Sequence, residues 1–179
     1  MKSLADHLSN YAAYHRDRRN IATHFVGIPM IVLGVATLLA RPAIDLGGGV
    51  ALAPIAPVTL GAILFYLALD VRLGLTMAAL MIAAMAQGTW FGAQSTSLWL
   101  GAGLGLFVVG WVIQFVGHIY EGKKPAFVDD LIGLLVGPLF VVTEAGFALG
   151  LRKDLAMTIE ARVGPTHSGQ RAGAATTGA

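Results

Sequence analysis

Apolar residues run almost uninterrupted through four stretches of this chain, Ile21 to Ala40, Val50 to Leu69, Leu73 to Ala93 and Leu98 to His118. Each is close to the roughly 20 residues a helix needs to cross bilayer hydrocarbon. A fifth apolar stretch, 126–150, is interrupted by Gly137-Pro138 and by Glu144. Proline removes a backbone donor and a carboxylate is expensive at depth, so this segment reads as a re-entrant element or a kinked fifth helix. Before the first span, Leu4, Leu8, Tyr11 and His15 fall on one helical stripe, suited to lying in the membrane interface. From Gly164 the chain turns small, polar and glycine-rich. The expected architecture is an all-α integral membrane bundle: four transmembrane helices, a C-terminal re-entrant or fifth helix, and an N-terminal interfacial helix. Residues 1–163 form its single membrane domain, and 164–179 a disordered tail in which His167 is a bystander.

Composition strengthens the membrane reading. The chain is 56% hydrophobic and 12% charged, with a mean hydropathy of +0.72, outside the range of ordinary water-soluble domains. There is no cysteine, so any metal must rest on nitrogen and oxygen. Asp6 and His7 interrupt the place where a leader would carry its apolar core, and the first span is expected to be retained. With a cytoplasmic N-terminus, Lys2, Arg16, Arg18, Arg19, Arg72, Lys123 and Lys124 lie inside and Arg41 outside. Arg152, Lys153, Arg162 and Arg171 join the inside group only if 126–150 enters and leaves on one side, the arrangement the charge rule favours. No nucleic-acid partner is expected. A homo-oligomer is compatible with the pattern.

Two motifs carry candidate chemistry. In YHRDRRNIATH, Tyr14 to His24, the two histidines are nine positions apart. At about 100° per residue they would face opposite ways on one unbroken helix, so a break must separate them if they meet. RDRRN supplies one, with Asn20 the expected N-cap of the first span and Pro29 a kink site one turn beyond His24. On charge alone, Arg16, Arg18 and Arg19 read as anchors among lipid headgroups. In QFVGHIYEGKKPAFVDD, Gln114, His118 and Glu121 stand at i, i+4 and i+7, one face of one helix. Gly117 leaves room beside His118 for a neighbour.

His15, His24 and His118 are thus expected on one membrane face, with Glu121, Asp129 and Glu144 as candidate carboxylates. Two histidines and a carboxylate with open positions is the set that binds iron(II) for oxygen chemistry. The plainer reading, in which each histidine caps carbonyls or pairs with a neighbour, stays open at this stage. Membrane di-iron hydroxylases need many more clustered histidines than the five here, and HExxH, GxSxG and P-loop patterns are absent. Gly101, Gly105 and Gly110 read as helix-packing positions.

In order and spacing, YHRDRRNIATHFVGIP and WVIQFVGHIYEGKKPAFVDDL, followed by GPLFVVTE, resemble the small membrane-protein family typified by the fungal 2-hydroxy fatty acid dioxygenase, over roughly residues 4 to 150. The resemblance implies an iron(II)-dependent, non-haem enzyme of fatty acid α-oxidation that removes one carbon from a 2-hydroxy fatty acid with dioxygen. It places the motif histidines on His15, His24 and His118. The family set extends to a fourth histidine, which the motifs here do not supply. Glu121 is the preferred fourth ligand, with Glu144 and His7 as alternates. Tyr11, Tyr14, Asn20 and Gln114 would orient the imidazoles, and Lys123 or Lys124 would hold the substrate carboxylate. The small and soft residues of MAALMIAAMAQG would give an acyl chain a pliable wall, although ordinary helix packing accounts for them as well. The resemblance further implies the inner membrane of a bacterium or the endoplasmic reticulum of a eukaryote. Two non-catalytic readings stand beside it: a small transporter with Asp70, Glu121 and Glu144 as waypoints, and a lipid-binding scaffold.

Overall fold

A computed structural model describes residues 2–48, 51–126 and 132–169. Its elements, in chain order, are α1 (Leu4–Ala12), α2 (Arg18–Leu39), a two-residue antiparallel hairpin of β1 (Ile44–Asp45) and β2 (Ala51–Leu52), α3 (Ile55–Leu69), α4 (Val71–Gly92), α5 (Thr96–Glu121), α6 (Gly133–Ala148) and α7 (Lys153–Val163). Among the described residues three helices, α2, α4 and α5, are long and apolar enough to cross a membrane. The count reaches four if α6 and α7, bent by 115° at their junction, are taken as one broken span. The stretch expected as the second span begins later than its hydropathy suggested, because the hairpin and Pro54 occupy its first residues. Its 15-residue helix α3 reaches only about 22 Å, short of the roughly 30 Å of hydrocarbon.

Helices α2 and α5 lie antiparallel and close, backbone against backbone. A Cβ added at Gly110 would stand 2.8 Å from the Gly27 carbonyl oxygen, and one at Gly34 2.7 Å from the Phe107 nitrogen. Only glycine permits so near an approach, the usual basis of helix association in lipid. Gly101 and Gly105, expected to pack, face open space instead, and the contact falls to Gly103, Gly110 and Gly117. Helix α4 runs beside α2 with Gly88 against Ala36. The outward faces of α4 and α5 expose Leu75, Ile82, Val108, Val112 and Ile119, an apolar surface that suits lipid and not water.

Polar contacts sort the two ends of this bundle. At one, Arg41 donates to the carbonyls of Gly92 and Gln94. At the other, Lys123 Nζ donates to the Ala13 carbonyl, Arg152 pairs with Asp70 at 2.9 Å, and Arg162 pairs with Asp6 at 2.9 Å. Arg152 therefore lies at the same end as Lys123, as the charge pattern favoured. The break differs from the expectation. Helix α6 continues through Gly137-Pro138, and the chain turns after Leu149 instead, where Gly150 (φ 77°) and Arg152 (φ 51°) adopt left-handed conformations.

Helix α1 starts from a capping box in which Ser3 and Asp6 bond each other's backbone. Its stripe of Leu4, Leu8 and Tyr11 is buried together with Val136, Leu139 and Phe140 of α6 and Leu155 and Ile159 of α7. The segment from Gly164 to Gly169 lies beside the turn that precedes α2. His167 forms a parallel bridge with Asp17, accepting from the Arg18 N–H and donating to the Arg16 carbonyl. Strand-like pairing gives this polar segment the hydrogen bonds that hydrophobic burial could not. Residues 170–179 lie outside the described residues.

Candidate metal centre

Between α1 and α2 the chain turns sharply, and that turn creates the site. Asp17 is extended (φ −76°, ψ 123°) and its carboxylate accepts the Arg19 N–H, so Asp17 is the N-cap of α2, replacing the expected Asn20. Starting the helix at Arg18 turns Asn20 inward and places His24 one turn later on the same face. His15, in the turn itself, swings back over α2. The predicted interruption of YHRDRRNIATH therefore exists, displaced a few residues toward the N-terminus.

The structure brings His15, His24 and His118 together. Ring centroids are 4.4 Å apart for His15 and His24, 5.0 Å for His15 and His118, and 5.2 Å for His24 and His118. One nitrogen from each lies within 4.8 Å of the others, and all three residues are buried. His15 Nδ1 is 2.7 Å from the Tyr11 carbonyl oxygen, and His24 Nδ1 is 2.8 Å from that of Asn20. A carbonyl only accepts, so each Nδ1 carries the proton and each Nε2 presents a bare lone pair. Those two Nε2 atoms face each other at 2.9 Å. Two neutral acceptors repel at that distance unless a cation or proton lies between them. Burial, with His24 beside it, holds the His15 imidazole well below its ordinary value, which disfavours a shared proton. A metal ion satisfies the geometry, since backbone carbonyls commonly fix the ring orientation of metal-binding histidines. Tyr11 stacks on His15 with centroids 4.1 Å apart and planes 5° from parallel, clamping the ring from its other face.

Glu121, the expected fourth ligand, does other work. Its carboxylate accepts the Arg16 N–H at 3.0 Å through both oxygens, the Asp17 N–H at 2.8 Å and Asn20 Nδ2 at 3.1 Å. It fastens the end of α5 to the turn that carries His15, chiefly through Oε2. The shared face with His118 was legible in the sequence; the orphan amides of the turn were not. Replacing Glu121 with glutamine turns one acceptor oxygen into an NH₂ group facing backbone N–H donors. We expect a loss of about 1.5–3 kcal/mol in stability and roughly 10–100-fold weaker iron binding, read by thermal unfolding and metal titration. Abolished iron binding with an unchanged melting temperature would instead make Glu121 a ligand.

The remaining sequence candidates divide. Glu144 is 4.0 Å from Arg16 Nη2, and His7 sets its ring edge-on to Phe65; neither joins the histidine cluster among the described residues. Asn20 links Glu121 to the Tyr14 carbonyl, and Lys123 caps the end of α1 through Ala13. Asp129 lies outside the described residues. Gln114 is 3% exposed, and neither its Oε1 nor its Nε2 has a partner. Leaving both unpaired costs about 1–3 kcal/mol each. With Tyr11, His24, Trp111 and His118 it lines a cavity of about 60 Å³ whose other walls include Ile28, Ile31, Val32, Leu134 and Pro138.

Residues 1–149 match the family described as 2-hydroxy-palmitic acid dioxygenase Mpo1-like. The chain belongs to this family. The 2-hydroxy-palmitic acid dioxygenase MPO1 of Saccharomyces cerevisiae is 29% identical over 159 residues, covering 88% of this chain and 87% of the yeast protein. No solved structure matches the chain. The Mpo1-like match spans α1 to α6 and so includes His15, His24, His118 and the residues that orient them.

Proposed function

We propose that this protein is a membrane-embedded, iron(II)-dependent dioxygenase that shortens 2-hydroxy fatty acids by one carbon, with His15, His24 and His118 as the iron ligands. The observation that carries the metal is the 2.9 Å approach of His15 Nε2 to His24 Nε2 while each Nδ1 rests against a backbone carbonyl. Family membership supplies the substrate class, through the yeast relative's activity on 2-hydroxy-palmitic acid. Iron(II) bound there would supply electrons to dioxygen, which no side chain of this protein can furnish. Three protein nitrogens leave coordination positions open, as oxygen-activating sites require.

The chain's own residues prepare the site. The Tyr11 and Asn20 carbonyls select the tautomer, Tyr11 fixes the plane of His15, and Glu121 holds the turn. The mostly apolar walls of the cavity would limit water beside the histidines. That cavity shares Ile31, Val32, Leu134 and Pro138 with an apolar slot of about 250 Å³ that continues past Val35, Ala36 and Leu39. Taken together, the cavity from Ile28 and the slot as far as Leu39 track α2 for about 16 Å, a length suited to a long acyl tail. The histidine end is the basic end of the bundle, which the charge rule assigns to the cytoplasmic side, with the N-terminus. The transporter alternative is weaker, because Asp70 is paired with Arg152 and Glu121 is engaged with backbone amides.

The test is to purify the protein without oxygen, measure bound iron, then admit oxygen with 2-hydroxypalmitate and follow the acid one carbon shorter. One iron per chain and oxygen-dependent product are expected. Absence of both would overturn the proposal.

A further inference from the structure

We propose that Gln114 is the residue that recognises the 2-hydroxyl group of the substrate, and that it does so from the wall of the cavity beside His24 and His118. The inference rests on the dioxygenase reading above. Among the described residues with orphaned buried side-chain atoms, Gln114 alone has two such atoms, an amide donor and a carbonyl acceptor. It sits one helical turn before His118 on α5, so the amide and the imidazole open onto the same space. The fold reserves room for it. Gly27 of α2 lies opposite, and a Cβ there would stand 2.9 Å from Gln114 Nε2.

An unpaired buried amide in a folded protein calls for an explanation, and a ligand that completes it supplies one. The free atoms define that ligand. Nε2 donates two hydrogens and Oε1 accepts, so the complement must offer both an acceptor and a donor. A carboxylate alone accepts only and would leave Oε1 unpaired. A hydroxyl next to a carboxylate supplies both: its O–H donates to Oε1, while a carboxylate oxygen accepts from Nε2. The tail of such a molecule would pass along Ile31, Val32 and Pro138 into the adjoining apolar slot. Gln114 therefore discriminates a 2-hydroxy acid from the unsubstituted acid, as sites built to hydrogen-bond a hydroxyl reject analogues lacking it.

The experiment compares wild type, Gln114→Leu and Gln114→Met, each purified without oxygen and loaded with iron. Binding of 2-hydroxypalmitate and of palmitate is titrated by calorimetry, and KM and kcat for 2-hydroxypalmitate are measured separately. Expected are full iron content in all three proteins, a Kd and KM for the hydroxy acid raised at least about tenfold in both variants, and palmitate binding unchanged or tighter. The wild-type preference for the hydroxy acid should collapse. If Gln114→Leu fails to fold, Gln114→Met, which keeps the side chain's length, decides. A variant with iron, turnover and the wild-type binding ratio would overturn the role of Gln114. A wild-type protein that holds no iron and makes no product would overturn the dioxygenase reading instead, so the two failures are distinct.

Discussion

Substituting His118 with alanine should remove iron and turnover together. In the proposed site His118 would be the ligand contributed by α5, whereas His15 and His24 come from the N-terminal turn and α2. Without it an ion would retain two protein nitrogens and would no longer join α5 to α2. Loss of a group that merely orients a ligand already weakens metal binding roughly 10–100-fold, and loss of a ligand should exceed that range. Anaerobic iron titration should thus show affinity reduced by more than about a hundredfold, with product formation below detection. His7→Ala is the informative contrast. His7 is buried against Phe65, away from the cluster, so its loss should lower the melting temperature through lost packing while iron content stays at the wild-type level. If His7→Ala loses iron as completely as His118→Ala, the three-histidine set is incomplete.

The elements that carry the site were readable because each rule involved is local. A nine-residue spacing between His15 and His24 demands a break, and the charged run RDRRN is where an apolar helix would start. The same holds for the i, i+4 relation of Gln114 and His118, which needs only helical periodicity. What escaped reading depends on contacts between distant segments. Asn20 and Asp17 are both good caps, and only the packing of Glu121 against the turn decides that Asp17 takes the role while Asn20 faces inward. Glu121 itself looked like a ligand because its residue type and face matched, yet amides 104 and 105 positions away in sequence claim it. Hydropathy marked Val50 to Leu69 as one span but could not register that a hairpin consumes its first residues. Glycine spacing on α5 misled in the same way. Gly101, Gly105 and Gly110 look equivalent in sequence, and only the position of α2 separates the one that packs from the two that do not.

That last distinction supports a prediction with a large effect on the whole assembly. Replacing Gly110 with valine puts a branched side chain where the Gly27 carbonyl oxygen and the Ile31 nitrogen lie within 3.0 Å of the new Cβ position. Backbone atoms in two packed helices cannot yield as a flexible side chain would, so α2 and α5 must separate. Overpacking costs typically 1–3 kcal/mol, and rigid neighbours place this site at the upper end, about 3 kcal/mol or more. Because His24 lies on α2 and His118 on α5, the same separation would pull two of the proposed ligands apart, and iron affinity should fall with stability. Gly101→Ala and Gly105→Ala on the same helix meet nothing within 4 Å. They should keep iron and raise stability by up to about 1 kcal/mol each through helix propensity. Thermal unfolding and iron content measured on all three variants test this. Equal losses in all three would mean that glycine serves helix flexibility, whereas a loss confined to Gly110→Val ties the integrity of the metal centre to one backbone contact between two helices.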